Sequence, residues 1–260
     1  MPTWTFDDPE DFAALWFGPA NDPMLYPLDY LSRYTHVNER DEHWARSRHD
    51  WSDKGRLSWD EADSLTAAFT VLTDPQIWIE VHGNSNATGP VRIAAARNGR
   101  RAARAVQVID HQRIKLSLFS SDRLPSALTK PLPACPPGKA QPERFDTADL
   151  DLHNQPVVRY TGEPTPLERY TQLLRRPATG AGLITVFRGP RHNGPTPHRK
   201  VGTIRWFDIK ADGRYLETGI RTRTVQPATT VAMQETISRL IGYADTEYRE
   251  YIDSLGEFTH

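Results

Sequence analysis

His36, Glu39 and His43 stand at i, i+3 and i+7. On a helix that spacing puts two imidazoles and a carboxylate on one face, a donor set suited to a transition metal. The segment around them, VNERDEHWARSRHD, is crowded with charge and offers no fourth ligand, so it reads as a solvated helix face. His192 and His198 sit in PRHNGPTPHRK, a Pro- and Gly-rich stretch that reads as an exposed loop. The lone Cys135, between Ala134 and Pro136, reads as incidental rather than nucleophilic. The chain carries no Gly-x-Ser-x-Gly elbow, no phosphate loop ending in Gly-Lys-Ser/Thr and no Cys-x-x-Cys pair. Gly180-Ala181-Gly182 lies at a helix-to-strand step, whereas a dinucleotide loop needs the strand first. We therefore expect no catalytic residue, no metal and no cofactor.

The strongest local signal is basic. Residues 91–115 hold Arg92, Arg97, Arg100, Arg101, Arg104, Arg113 and Lys115 against one carboxylate, Asp110. As a helix, VRIAAARNGRRAARAVQVID would put Arg97, Arg101 and Arg104 on one face, as for contact with nucleic acid. As two strands folded back at Asn98-Gly99, its arginines would line an exposed sheet face or edge, where charge discourages edge-to-edge pairing. A nucleic-acid-binding or regulatory protein using this Arg-rich stretch, 91–110, is the rival reading throughout. The whole chain argues against it: 260 residues carry a formal net charge of −1. No stacking-aromatic RNA module accompanies the run.

Composition bounds the rest. One cysteine excludes an intrachain disulfide framework and fits a reducing compartment. The first residues, MPTWTFDDPEDF, have no apolar core of a signal peptide. No stretch approaches the roughly 20 apolar residues that span a bilayer. A cytoplasmic protein is the expectation.

The elements that would position these residues follow from periodicity and punctuation. TWTF (3–6) reads as a strand. DDPEDFAALWFG reads as a helix capped by Asp7 or Asp8, with Pro9 in its first turn. Helices follow over 36–52, with Trp44 and Trp51 on one face, and over 59–72, after Ser58, with a Leu65, Phe69, Leu72 stripe. IWIEVHG (77–83) is a strand, NSNATGP (84–90) a polar loop, and RIKLSLFSS (113–121) an alternating strand. A short helix lies within SDRLPSALTKPLP. ACPPGKAQPERFD (134–146) has the composition of a linker. The second part has a helix at 165–176, strands at 182–189 and 201–209, a loop at 190–200, a turn at KADGR, further strand in YLETGIRTRTV and a helix at 226–243 containing Pro227.

This order of helix, strand, loop and hairpin occurs twice, offset by about 105–115 residues. ARNGRRAARA (96–105) lies over KADGRYLETG (210–219). The second segment is aromatic, β-branched and broken by Asp-Gly, so it is no helix. A duplicated chain makes 91–110 a hairpin as well. We expect one domain with pseudo-repeat halves about 1–133 and 150–243, a linker at 134–146 and a tail at 244–260.

WTFDDPEDFAALWFG…YPLDY, RLSWDEADSLTAAFTVLTDPQIWIEVHG and VGTIRWFDIKADGRYLETGIRTRTVQPATTVAMQETISRLIG together resemble the EspG family, the ESX (type VII) secretion-associated proteins of actinobacteria. The resemblance runs from about residue 3 to residue 242. It does not extend to loop 190–200 or to ADTEYREYIDSLGEFTH. WFG (16–18) and YADTE (243–247) look like the Trp-x-Gly and Tyr-x-x-x-Glu patterns of small secreted substrates, but those are short helical hairpins and we read the match as coincidence. The resemblance implies an α+β fold with a central, largely antiparallel sheet flanked by helical bundles in two pseudo-symmetric halves. It implies a cytosolic, non-enzymatic chaperone or adaptor. Such a protein binds PE–PPE-like heterodimers at the helical tip of the PPE partner, keeps them soluble for export, uses no cofactor and is a monomer or weak homodimer. Partner contacts are then expected from Asn84, Ser85, Asn86 and Thr88 in the loop, Thr203, Arg205 and Phe207 on the strand, and Met233 and Ile237 on the last long helix.

Overall fold

A computed structural model describes residues 1–18, 21, 23–108, 112–151, 163–191 and 199–257. Ten strands form one antiparallel sheet in the order β1-β5-β4-β3-β2-β7-β8-β9-β10-β6. The strands are β1 (Thr3–Phe6), β2 (Ile77–Ser85), β3 (Gly89–Asn98), β4 (Arg101–Val108), β5 (Arg113–Ser120), β6 (Glu143–Asp146), β7 (Ala178–Arg188), β8 (Arg199–Ile209), β9 (Gly213–Thr218) and β10 (Thr222–Pro227). The helices are α1 (Pro9–Trp16), α2 (Val37–Asp50), α3 (Trp59–Thr73), α4 (Leu124–Thr129), α5 (Pro166–Leu174) and α6 (Thr230–Glu257). The fold is α+β. Each part runs a four-strand meander, β2–β5 and β7–β10, and the two meet where β2 pairs with β7 over Ile77–Ser85. No helix among the described residues is long and apolar enough to cross a membrane.

Helix starts follow their caps. Asp8 accepts from Glu10 N–H at 3.0 Å, and Pro9 opens α1. Ser58 with Glu61, and Thr165 with Glu168, form reciprocal capping boxes at α3 and α5. Trp44 and Trp51 both turn to the first layer, against Phe17 at 5.6 Å and Phe6 at 4.4 Å.

The sheet has two unlike faces. On one, α4 and α6 cover Ile77, Ile79, Val81, Ile184, Ile204 and Trp206. On the other, α1 and α3 cover β2–β5 through Trp78, Ala94, Ala96, Ala103, Ala105, Ile114 and Leu116, while α5 covers Phe207, Ile209 and Tyr215. Every fully buried residue of this size adds about 1.5–3 kcal/mol by leaving water.

The basic run is a hairpin, with the arginines placed differently from the expectation. Asn98 pairs with Arg101, so the turn's central residues are Gly99 and Arg100, with Gly99 at φ +56°. A glycine at the first central position matches the right-handed twist of the flanking strands. The alanines lie under α3 and α4, where larger side chains would hold the helices off. The arginines lock the sheet to other elements: Arg92 pairs with Asp29 at 2.9 Å, Arg97 with Asp245 of α6, and Arg104 donates to Ala127 O. Only Arg100 and Arg101 of the five are exposed, too small a footprint for a phosphate backbone.

Several boundaries move. The 134–146 stretch is not a free linker, because Glu143–Asp146 is the edge strand β6 and puts Phe145 in the core. Upstream of it, Gly138 N–H donates to Arg214 O at 2.9 Å and a Cβ there would meet Tyr215 Cζ at 2.1 Å. The 244–260 tail is helical to Glu257, since Asp245 and Glu247 meet Arg97, Arg188 and Arg199. Pro227 ends β10 and lies outside α6, where its missing N–H costs nothing. The loop 84–90 shrinks to a turn at residues 86–88, because β2 and β3 pair out to Ser85 and Gly89. Of the 190–200 stretch, Arg199 and Lys200 belong to β8, and His192 and His198 lie outside the described residues.

Two buried charged groups fasten the assembly. Glu10, 2 % exposed, accepts from Tyr30 OH (2.7 Å), Ser32 OH (2.7 Å), Arg33 N–H (2.9 Å) and Trp44 Nε1 (3.0 Å). Burial pushes its carboxyl up, but the four donors outweigh it and the net shift is downward from 4.5. Arg214, 2 % exposed, grips Asp208 with two bonds of 2.7 Å and donates to Pro133 O at 2.9 Å.

We expect Arg214→Met to destabilise the chain by about 3–5 kcal/mol in urea unfolding, because it leaves the Asp208 charge buried and unpaired. Asp208→Asn combined with Arg214→Met should recover part of that loss. For Glu10, a lowered folded pKa means stability present above the unfolded pKa near 4.5 and lost as pH falls through the folded value. The stability gap between wild type and Glu10→Gln should therefore be widest near pH 7 and narrow steadily below about pH 4.5.

Candidate functional site

On the face that carries α1, α3 and α5, a strip of sheet between the two helical layers has no helix over it among the described residues. Side chains alternate along a strand and registered neighbours share a face. The strip therefore collects Glu80, His82 and Asn84 from β2, Leu183 and Thr185 from β7, and Thr203 and Arg205 from β8. The register sets Glu80 beside Ala94 and Thr185, and His82 beside Arg92 and Leu183. Thr185 and Thr203 hydroxyls lie 3.3 Å apart, which confirms the shared face. Tyr26, 52 % exposed, stands edge-on to His82 at 5.7 Å.

The strip mixes apolar and polar character. Leu183 is half-buried and, among the described residues, belongs to none of the three core clusters. Burial pushes the Glu80 carboxyl up to about 7, and the Arg191 guanidinium pulls it back only in part. Arg191 lies over the Trp78 ring at 4.4 Å and is itself lowered to about 10 by burial. Arg205 reaches Glu217 at 3.5 Å, and Glu217 also takes Arg223 at 2.8 Å and Tyr170 OH at 2.8 Å. A carboxyl poised near neutrality takes its uncharged form under a covering partner at little cost.

The expected contact residues divide. Asn84, Asn86 and Thr88 are exposed, and Thr203 and Arg205 are half-buried at the strip. Four are corrected to the interior. Ser85 is 5 % exposed and its hydroxyl accepts from Ala87 N–H at 3.2 Å. Phe207, 3 % exposed, stacks on Tyr215 at 5.7 Å under α5. Met233 and Ile237, both fully buried, are the face by which α6 seats on the sheet. They stand four apart on one helix face, and an apolar stripe of that kind faces the core before it faces a partner. Glu80, His82 and Leu183 were missed. The signal for Glu80 and His82 was present in IWIEVHG, where they alternate with Ile79 and Val81 in an otherwise apolar strand.

The candidate metal set is rearranged. His36 stands at the N-cap position of α2 without a side-chain capping bond, and His43 turns to Asp11 (3.2 Å) and Asp8 (4.0 Å). Arg33 pairs with Asp8 at 2.8 Å and Ser47 OH donates to Asp11 at 2.6 Å, so these carboxylates already have partners. Gly180 and Gly182 lie inside β7. A Cβ on Gly182 would meet Trp206 Nε1 at 2.8 Å, so these glycines make room for an indole.

Comparison with known proteins supplies what the geometry alone does not. A search of curated proteins finds no match. Among solved structures, the chain is similar to the Mycobacterium tuberculosis type VII secretion system chaperone EspG5, solved in complex with a PE25–PPE41 dimer. The likeness has a TM-score of 0.56 at 12 % identity and covers 92 % of this chain and 96 % of that one. The EspG family model matches residues 8–239. That match spans both meanders of the sheet and the start of α6, and the chain belongs to the EspG family.

Proposed function

We propose that this protein is a cytoplasmic type VII secretion chaperone. In this reading the uncovered strip holds the helical tip of a PE–PPE-like heterodimer and keeps the pair soluble for export. One observation carries the reading: the sheet leaves half-buried Leu183 and its polar neighbours without a helix, in a fold whose relative was solved holding a PE25–PPE41 dimer. Such a surface suits reversible capture of an apolar helix end, with hydrophobic contact at the centre and polar groups around it. The role is binding, not catalysis. The halves 1–133 and 150–243 fit this picture as copies of one unit, and the strip lies at their junction, where ligand sites tend to form. The turn at residues 86–88 stands at one end of the strip and extends it with exposed polar groups.

The test is affinity for a co-expressed PE–PPE-like pair, measured by titration calorimetry on purified full-length chain. Leu183→Glu and His82→Glu should each weaken binding about tenfold or more, the loss typical of a central contact. Lys210→Glu, on the exposed β8–β9 turn, should leave it unchanged. Folded Leu183→Glu protein that binds as wild type does would remove the strip from the interface.

A further inference from the structure

Beside α6, the β9 side of β8 has no partner strand beyond Arg205 among the described residues. Lys210 N–H donates to Pro177 O on the β7 side, whereas Asp212 N–H donates to Ile209 O on the β9 side. Backbone groups alternate along a strand, so those of Ile209, Phe207, Arg205 and Thr203 all point toward β9. β9 meets the first three with Gly213, Tyr215 and Glu217. It goes no further, because β9 ends at Thr218 and Gly219, at φ +97°, turns the chain toward β10. Thr203 N–H and C=O have no ladder partner among the described residues.

A groove of about 340 Å³ adjoins this edge. Leu240 and Tyr243 of α6 and Ile220 of the β9–β10 turn supply its apolar wall, with Ile220 79 % and Tyr243 63 % exposed. Gly202 keeps it open: a Cβ there would meet Leu240 Cδ2 at 2.9 Å. Arg239 is the charged residue of the lining, which holds no carboxylate. Its guanidinium contacts Thr236 Oγ1 at 3.2 Å and meets no acid among the described residues.

We propose that this edge accepts an extended segment of a partner protein as an added strand. An apolar side chain of that segment lies over Leu240 and Tyr243, and a carboxylate meets Arg239. An outward N–H and C=O on one residue require a complementary pair, which an extended backbone offers and a helix has already spent. The groove's lone positive charge selects an acidic neighbour. The proposal goes beyond capture of a helical tip and uses the other face of the sheet. It rests on the chaperone reading only for whose segment it is.

The probe is a fluorescein-labelled eight-residue peptide alternating valine and threonine and ending in two glutamates, titrated by anisotropy into the full chain. Saturable binding is expected, weakened about tenfold or more by Tyr243→Asp and by Arg239→Glu. Thr203→Pro, which deletes the outward N–H at an edge position that tolerates proline, should do the same. N-methylation of alternate peptide nitrogens in one phase should abolish binding, and in the other phase should spare it. Equal binding of both methylated peptides, or no binding at all, would overturn strand addition. Sedimentation showing that the wild-type chain dimerises through this edge, and that Tyr243→Asp separates it, would overturn the assignment to a partner protein. Leu183→Glu should keep the peptide, so the strip and the edge fail separately; loss of the peptide in that variant would count against an independent site.

Discussion

Gly83 and Gly182 face each other across β2 and β7. A Cβ on Gly83 would meet Ala181 O at 2.3 Å, and one on Gly182 would meet His82 O at 2.5 Å. The strand pair closes over its full length only because both positions lack a side chain. That seam turns two meanders into one ten-stranded sheet. It aligns Glu80 with Thr185, places Leu183 beside His82, and lies in the strip that has no helix over it among the described residues. Steric room at two backbone positions thus governs the proposed contact surface.

Charge does the remaining joining. Asp245 of α6 reaches Arg97 on β3, and Glu247 reaches Arg188 on β7 and Arg199 on β8. Asp208 with Arg214 holds the proline-rich segment against β9. Glu10 gathers the 30–33 segment and α2 onto α1. Near-neutral overall charge therefore hides a strongly organised interior, in which arginines that look free in a one-dimensional reading are internal fasteners.

Much of this was legible because local rules and tertiary demand agree. Ser58 with Glu61 announces α3, Thr165 with Glu168 announces α5, and the paired hairpins identify 91–110 as sheet despite its helix-forming composition. Legibility failed where a distant partner decides the outcome. Pro136, Pro137 and Pro142 give 134–146 the look of a linker, yet Phe145 has a core to enter and β10 an edge to cover. The 244–257 stretch is rich in charge and reads as a tail until its acids meet arginines from three strands. For the site, Thr203 and Arg205 lay on the readable face of β8, while Phe207 on the same face is claimed by α5. Strand alternation assigns a face, but it does not say which helix lies on it. Met233 and Ile237 illustrate the same limit for helices.

The path of α6 has a consequence for the newborn chain. Its apolar face closes a cluster that includes Ile77, Ile79 and Ile93 from the first meander and Ile184 and Ile204 from the second. The first meander therefore leaves the ribosome with only α4 to cover its underside, and waits about a hundred residues more for the rest. Pairings of such long sequence separation form slowly, and an uncovered sheet is a sticky one. A protein proposed to keep others from sticking must itself pass through an interval of the same hazard, which ends only when its last helix docks.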